Sequence, residues 1–581
     1  MKFREMKHGW KIMFFLCVLC ASVVNAFSLD REAFSIARYD LNLRVEPDQH
    51  RLGVRGKITL RNDSAAPQKT AILQISSSLD WRSIKAGDQP LQVITEPYTS
   101  DIDHTGSLSE AIVTLPQAVP PKGMIELTIG YEGVIVLDAT RLTRIGTPDE
   151  AAHNADWDQI DTSFIAVRGA GYVAWYPIAT ESANLSEGNE LAEVLQRWKA
   201  READSRMQLN LSLSTNTDER PPTLLLNNPT CRGFSEGISR AQELSAECTF
   251  QSLDSIAPFF VIANYGLVER PTMIVHNLAG HAAAAEAYAD AAEGVLPLVT
   301  DWFGTPHERA QTADLPDDND APFESGSLLL MPLGGSDSKL PGLAAAHQLT
   351  HASFISFRPW IEEGLAHFAQ ALYLEQQKGR QAALDYMGLH RSALSQIDPQ
   401  TTVPRSEDEV NHSLVSTTSE ELYRSKAMCV WWMLRDMLGD AALKKALAAY
   451  HPAQDKEPSY MPKLVSKQTP RDLEWFFDDW VYRDRGLPDF KVVSAFSRTT
   501  MTKTYMVTIT IENQGNAGAE VPVIVKFATG QVIRRLEVRA KSKASIRVET
   551  PAAAQEIQVN DGSVPESRVT NNTFKVEPPQ A

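Results

Sequence analysis

The sequence predicts a multidomain α+β protein, in which two β domains flank a mainly helical domain. In residues 27–270, apolar and polar side chains alternate in runs broken by polar turns, as expected of antiparallel sheets. Residues 271–490 carry apolar side chains at helical spacing. Alternation returns in residues 491–581. A chain of 581 residues is long enough for several domains of this kind.

The first 26 residues are typical of a secretory signal peptide. A basic segment, residues 2–11, precedes an apolar run, residues 12–24, and Val24-Asn25-Ala26 fits a cleavage site. The apolar run is shorter than the ~20 residues that span a bilayer. We therefore expect an extracytoplasmic chain, periplasmic or secreted, with no stable membrane span after cleavage. Uncleaved anchoring is the alternative.

Charge and cysteine content restrict the function classes further. The net charge of −17 argues against a nucleic-acid partner, which needs a basic face. Cys231 and Cys248 can pair in an oxidising compartment, although the sequence leaves open whether they do. Cys429 lies in an apolar run and is expected to be a buried thiol.

The predicted N-terminal β domain, residues 27–270, begins with the clearest strand signals. Its first two strands alternate at Tyr39, Leu41, Leu43 and Val45, and then at Leu52, Val54, Ile58 and Leu60. The period of two predicts that these residues share the buried face of a sheet.

In the helical domain, residues 271–490, two histidines are four residues apart. His347 and His351 share one face of the predicted helix, so both imidazoles can point at one ion. Pro359 suits the start of a second helix, which carries Glu362 and Glu363. Two histidines and one carboxylate leave a fourth position for water, as in catalytic zinc sites. Two ordinary, partly buried histidines are the alternative.

The residue after the first histidine is unusual for this chemistry. Zinc proteases carry H-E-x-x-H, with the glutamate as general base, and here that position is Gln348. An amide cannot accept a proton from water at neutral pH. The loss of a general base typically slows a reaction ~10²–10⁴-fold.

The segment W-I-E-E-G-L-A-H-F, residues 360–368, resembles the W-L-N-E-G-F-A segment of the gluzincin aminopeptidases, the family of membrane alanyl aminopeptidase and leukotriene hydrolase. The resemblance implies that His347, His351 and Glu363 bind Zn²⁺. The gap between His351 and Glu363 is shorter than in the family. Glu362 or His367 therefore remains an alternative ligand.

Other segments follow in the family's order and imply its fold. Residues 171–177 and 259–266 resemble parts of its saddle-like N-terminal domain, and residues 279–306 resemble a helix of its thermolysin-like catalytic domain. Glu324 lies where the family carries the carboxylate that binds the α-amine of a substrate, although only the Glu of that motif is present. A plain surface glutamate is the alternative.

The resemblance also implies a role for Tyr423. The family has a tyrosine before an apolar helix, and its hydroxyl donates to the oxyanion of the tetrahedral intermediate. Here one extra residue separates the tyrosine from the lysine that follows it, Lys426. A tyrosine packed at the start of the helix is the alternative.

Residues 491–581 have the length and alternation of an immunoglobulin-like β-sandwich. They contain no evident chemistry, and the sequence does not identify a partner for them.

Taken together, the residues and the resemblance predict an extracytoplasmic zinc metallopeptidase of the aminopeptidase type. Such a protein would hydrolyse N-terminal residues of peptides through zinc-activated water, weakly because of Gln348. The alternative is an inactive pseudopeptidase that binds zinc and either peptides or a protein partner. A zinc-free structural protein would require the three ligand-type residues to be coincidental.

Overall fold

A computed structural model describes residues 29–214, 222–227, 230–236, 243–254, 256–334, 340–391, 394, 413–415, 417, 419, 421–483 and 485–576. The predicted signal peptide lies outside these residues. The model is α+β and has several separate sheets, with strands at both ends and helices between them. Among the described helices, none has the length and hydropathy needed to cross a membrane.

Antiparallel strands dominate the N-terminal part, as the alternation predicts. Its strands are β1 (Phe34–Glu46), β2 (Arg51–Asn62), β3 (Gln68–Ser76), β4 (Leu79–Ala86), β5 (Gln89–Pro90), β6 (Gln92–Thr99), β7 (Ser107–Val119), β8 (Met124–Val134), β9 (Gln159–Ile160), β10 (Phe164–Val167), β11 (Arg206–Ser214), β12 (Thr223–Leu226), β13 (Thr230–Glu236), β14 (Glu243–Phe250) and β15 (Phe260–Ala263). Its helices are α1 (Thr140–Arg144), α2 (Asp149–Ala155) and α3 (Glu190–Glu202).

These strands form three sheets. The largest has the order β13-β14-β11-β1-β2-β8-β4-β5, the second is β3-β7-β6, and the third is β12-β15-β10-β9. Strands β1 and β11 are parallel, whereas the other pairs of the largest sheet are antiparallel. The alternating residues predicted to share a face are all buried: Tyr39, Leu41, Leu43, Val45, Leu52, Val54, Ile58 and Leu60.

The cysteines behave in two ways. Cys231 and Cys248 lie opposite each other on β13 and β14 and form a disulfide. Cys429 is a free, buried thiol, as predicted, and burial raises its pKa to about 12.

The middle of the chain combines one small sheet with most of the helices. Its strands are β16 (Gly266–Glu269), β17 (Met273–Asn277), β18 (Ala310–Asp314), β19 (Phe323–Ser325) and β20 (Leu328–Met331), in the order β16-β17-β18-β20-β19. Its helices are α4 (Ala282–Phe303), α5 (Leu340–Ser353), α6 (Pro359–Lys378), α7 (Arg380–Leu389), α8 (Ala427–Leu438), α9 (Asp440–Ala448), α10 (Tyr460–Ser466) and α11 (Glu474–Phe477). Two π-helical turns, Glu421–Lys426 and Asp478–Tyr482, precede α8 and follow α11.

The C-terminal part consists of two sheets, β21-β22-β25 and β24-β23-β26-β27. The strands are β21 (Phe490–Thr499), β22 (Tyr505–Asn513), β23 (Ala519–Phe527), β24 (Gly530–Val538), β25 (Lys543–Thr550), β26 (Ala554–Val559) and β27 (Thr573–Lys575). Their buried side chains belong to the same apolar cluster as those of the helices. Trp480 Nε1 donates to the carbonyl of Gly518 over 2.7 Å, which joins the two regions at their boundary.

Candidate metal centre

Helix α5 holds the two predicted histidines at partly exposed positions. Ala345, Ala346 and Leu349 are fully buried and fix the opposite side of the helix in the core. His347 and His351 keep 17 % and 13 % of their side-chain surface exposed. Their Nε2 atoms lie 3.1 Å apart, so the sequence spacing does bring both imidazoles to one point.

Helix α6 brings Glu363 to the histidines. Its Oε2 lies 3.9 Å from His347 Nε2, and its Oε1 lies 3.7 Å from His351 Nε2. Glu362 lies on the outer side of the same ring, with Oε1 4.0 Å from His351 Nδ1. At 4.0 Å the two groups form no hydrogen bond, and the choice of Glu363 rather than Glu362 as a ligand stays a prediction.

The Trp and Gly of the W-x-x-E-G segment hold this helix in place. Trp360 stacks on Trp431 of α8 at 5.1 Å between ring centroids, and Trp431 Nε1 donates to the carbonyl of Trp360 over 3.2 Å. A Cβ on Gly364 would lie only 2.7 Å from the Cβ of Ala427 and 3.0 Å from Trp431 Nε1. Only glycine allows α6 and α8 to approach this closely, and the approach positions Glu363.

A second carboxylate, Glu324 on β19, reaches the same point. Its Oε2 lies 3.4 Å from His347 Nε2, and together with His351 these residues place three donor atoms within 4.8 Å of one another. Its Oε1 is buried and has no hydrogen-bond partner among the described residues. The sequence predicted Glu324 as an amine-binding residue from its position alone. Its closeness to the histidines was not foreseen.

Contacts with the N-terminal part fix the strand that carries Glu324. The neighbouring Phe323 packs edge-on against Tyr172 and Phe259, at 5.2 and 5.3 Å between ring centroids. On the other side, Asn227 Nδ2 donates to Ser325 Oγ over 2.9 Å. These contacts join residues at least 64 positions apart in the sequence, which explains why no local motif revealed them.

Gln348 is bonded into the core beneath the site. It is 2 % exposed, and its Oε1 accepts hydrogen bonds from Tyr288 Oη at 3.0 Å and from Thr312 Oγ1 at 2.9 Å. Its Nε2 donates to the carbonyl of Gln311 over 2.5 Å. Both acceptor positions of the amide oxygen are therefore used by residues of α4 and β18.

Tyr423 lies on the π-helical turn Glu421–Lys426 and packs, partly buried, against the helical core. The extra residue between Tyr423 and Lys426 lies within this π-helical turn. The side chain that this turn brings to the metal-facing residues is Arg424, whose Nε donates to Glu363 Oε2 over 3.2 Å. The oxyanion role of Tyr423 stays a prediction.

His367 lies behind His347, with 5.1 Å between the ring centroids. Its Nδ1 is 3.4 Å from Tyr386 Oη, and that hydroxyl in turn donates to Gln370 Oε1 over 2.7 Å. Burial lowers the pKa of His367 to about 4. His367 is therefore a neutral histidine that packs behind the ring of His347.

The electrostatics of the site suit a bound cation. Burial raises the pKa values of Glu324 and Glu362 to about 7. Burial also opposes ionisation of Glu363, but the surrounding charges, above all that of His351 and also that of Arg424, outweigh burial and lower the pKa of Glu363 to about 2. Burial lowers the pKa of His347, which therefore has a neutral ring, the form that binds metals.

The residues present fit a zinc ion. Two imidazole nitrogens and carboxylate oxygens are common zinc donors. Zinc bonds of 2.0–2.2 Å in a tetrahedron separate the donors by about 3.3–3.6 Å. The 3.1 Å between the histidine nitrogens and the 3.4 Å between His347 Nε2 and Glu324 Oε2 are near this spacing. The buried oxygen of Glu324, which has no hydrogen-bond partner among the described residues, would also be satisfied by a bound cation.

Comparisons with known proteins gave structural neighbours only. No family model and no curated protein matches the sequence. A crystal structure of an M1 zinc metallopeptidase from Deinococcus radiodurans is 17 % identical, with 79 % of this chain and 96 % of that chain covered and a TM-score of 0.46. A mutant of a two-domain M1 zinc metallopeptidase bound to L-arginine is also 17 % identical, with 75 % and 91 % covered and a TM-score of 0.44. We therefore argue function from this chain's own residues.

Proposed function

We propose that this protein is a zinc-binding pseudopeptidase, which holds Zn²⁺ and peptides in an aminopeptidase-like cleft with little or no turnover. The observation that carries the proposal is the bonding of Gln348. The residue at the base position is an amide, and its oxygen already accepts two hydrogen bonds in the core. It cannot take a proton from water or deliver one to a leaving amine.

Each remaining residue has a binding or positioning task in this proposal. His347, His351 and Glu363 hold the ion. Bound zinc supplies Lewis-acid polarisation of an oxygen atom. The charge of His351 first, and also Arg424, which donates a hydrogen bond to Glu363, keep that carboxylate ionised.

A weak zinc aminopeptidase is the second candidate. It is favoured by the near-equal distances of Glu363 from both histidines, which match a three-ligand site with an open position. In this candidate Glu324 would bind the substrate amine and Tyr423 would stabilise the oxyanion.

We also propose an extracytoplasmic location for the mature chain. The signal-like first 26 residues and the Cys231–Cys248 disulfide support it, because disulfides persist in oxidising compartments.

Hydrolysis and binding assays of the zinc-loaded protein test the function. The substrates are aminoacyl anilides and tripeptides with free N-termini, and the control is the double variant His347→Ala, His351→Ala. We expect the wild type to bind about one zinc ion and the double variant to bind none. We expect calorimetry to detect tripeptide binding by the wild type, and hydrolysis no faster than that of the double variant.

Hydrolysis by the wild type more than tenfold faster than by the double variant would establish the weak aminopeptidase instead. Zinc binding without any tripeptide binding would contradict the peptide-binding half of the proposal. Thermal unfolding of the double variant checks that it is folded, since both substituted side chains are partly exposed.

A further inference from the structure

We propose that Glu324 binds the metal ion directly, so that four side chains surround it: His347, His351, Glu363 and Glu324. This inference rests on the zinc binding proposed above and assigns Glu324 to the metal rather than to a substrate amine. A zinc site with four protein donors is closed, whereas a catalytic site keeps one position for water.

The first support is distance. Glu324 Oε2 is 3.4 Å from His347 Nε2, closer than either Glu363 distance to a histidine nitrogen. If proximity to the histidines qualifies Glu363 as a ligand, it qualifies Glu324 at least as well. The separation is also what two donors on one zinc ion require.

The second support is the unpartnered oxygen. Glu324 Oε1 is buried and accepts no hydrogen bond among the described residues, whereas Glu363 Oε2 accepts one from Arg424. A buried carboxylate without a partner carries a large desolvation cost. A dication beside the histidines removes that cost.

The third support is the rigidity of the strand that carries Glu324. Phe323 packs between two aromatic rings, and Ser325 accepts a hydrogen bond from Asn227. Glu324 itself pairs with Leu329 of β20. Because both neighbours are fixed, the backbone of Glu324 is held beside the histidines.

The test uses Co²⁺-loaded protein, whose visible spectrum reports the donors around the ion. We would add azide to the wild type, to Glu324→Gln and to Asp320→Asn. Asp320 is a buried carboxylate on the segment before β19 and serves as the matched control. We expect azide to leave the spectra of the wild type and Asp320→Asn unchanged and to shift that of Glu324→Gln, where a position has opened.

Zinc affinity, measured by competition with a chelator, gives a second readout. We expect Glu324→Gln to bind zinc at least 10- to 100-fold more weakly than the wild type, the loss typical of weakened metal sites. Asp320→Asn should bind zinc like the wild type.

A wild-type spectrum that shifts with azide would overturn the inference, and this measurement needs no variant. Unchanged zinc affinity in a folded Glu324→Gln protein would also overturn it. If the proposed function is wrong, the wild type hydrolyses peptides in the separate assay, whatever the azide spectra show. A closed site with no turnover supports both proposals, whereas an open site with no turnover contradicts only this one.

Discussion

At the scale of single residues, the hydrogen bonds of Gln348, the residue after His347, are the main evidence against a general base at this position. Gln348 has its oxygen bonded to Tyr288 and Thr312 and its nitrogen bonded to the Gln311 carbonyl. An amide at this position stabilises the contact between α5 and β18. Its side chain is thus part of the core and contributes to folding.

We therefore expect Gln348→Glu to destabilise the protein without producing a rapid peptidase. The new carboxylate would face the Gln311 carbonyl, and loss of a buried hydrogen bond of this kind costs about 1–3 kcal/mol. Urea unfolding measures the cost, and the tripeptide assay measures turnover. The matched control is Gln370→Glu, because Gln370 also donates to a carbonyl and accepts from a tyrosine, Tyr386, but is only half-buried. Rapid hydrolysis by Gln348→Glu would show that its side chain can leave the core and act as the base.

A buried glutamate that is not among the candidate metal ligands, Glu202, predicts a pH dependence of stability. Burial raises the pKa of Glu202 to about 7, although Ile36 N and Ser205 Oγ donate to its carboxylate. The folded state therefore holds this proton between about pH 4.5 and 7, where the unfolded state releases it. The contribution to stability is present in full below pH 4.5 and is lost as the pH rises through 7.

The size of this effect is about 3 kcal/mol, from a shift of about 2.5 pH units at 1.36 kcal/mol each. We expect the free energy of unfolding of the wild type, relative to Glu202→Gln, to fall by roughly this amount between pH 4.5 and 7.5. Glu193→Gln, at an exposed position of the same helix α3, should show no such relative change. Parallel curves for the wild type and Glu202→Gln would contradict the assignment.

At the scale of elements, the sequence predicted what depends on local periodicity. The alternating residues of β1 and β2 are buried, and the histidines share one face of α5, because both periods are fixed by backbone geometry. The approach of Glu324 to His347 depends on aromatic contacts from Tyr172 and Phe259, which no spacing encodes. In the sequence, the π-helical turn before α8 shows only as one extra residue between Tyr423 and Lys426.

The close approach of α6 and α8 gives an element-scale prediction. Gly364→Ala would place a methyl group 2.7 Å from Ala427 Cβ, so the helices must separate. We expect a loss of about 1–3 kcal/mol in the free energy of unfolding, typical of overpacking, and weaker zinc binding because Glu363 shifts.

Gly388→Ala is the matched control for this substitution. Gly388 lies within α7, and a Cβ there would meet no atom within 4 Å. We expect that variant to be neutral or slightly more stable than the wild type, since alanine favours helix. Equal stabilities of the two alanine variants, measured by urea unfolding, would show that α6 and α8 can adjust without cost.

At the scale of the whole molecule, the site is assembled from distant parts of the chain. Helices α5 and α6 supply the histidines and Glu363, whereas the strand carrying Glu324 is fixed by N-terminal residues. The C-terminal sheets share one apolar core with the helices. The alternation of apolar and polar residues predicted strands here, and the structure contains them. It did not predict that their buried side chains pack in one core with the helices.

Because the helices and the C-terminal sheets share one apolar core, we expect the rest of the chain not to fold without these sheets. Truncation after Asp489 would remove the Gly518 carbonyl that accepts from Trp480 and would expose the apolar surface around both. We expect the truncated chain to aggregate and to bind no zinc, as measured by light scattering and metal analysis. Met501→Ser, at a fully exposed hairpin position, should leave solubility and zinc binding unchanged. A soluble truncated chain with native zinc affinity would contradict the prediction.

The packing around Gly364 has a consequence for the recognition of such proteins by sequence. Trp360 and Gly364 each contact α8, and neither touches the metal-facing atoms directly. The contacts with α8 therefore explain the Trp and the Gly of the W-x-x-E-G segment by folding alone, whereas Glu363 faces the histidines. The Trp and the Gly therefore indicate this packing of α6 against α8, whether or not a chain that carries them cleaves peptides.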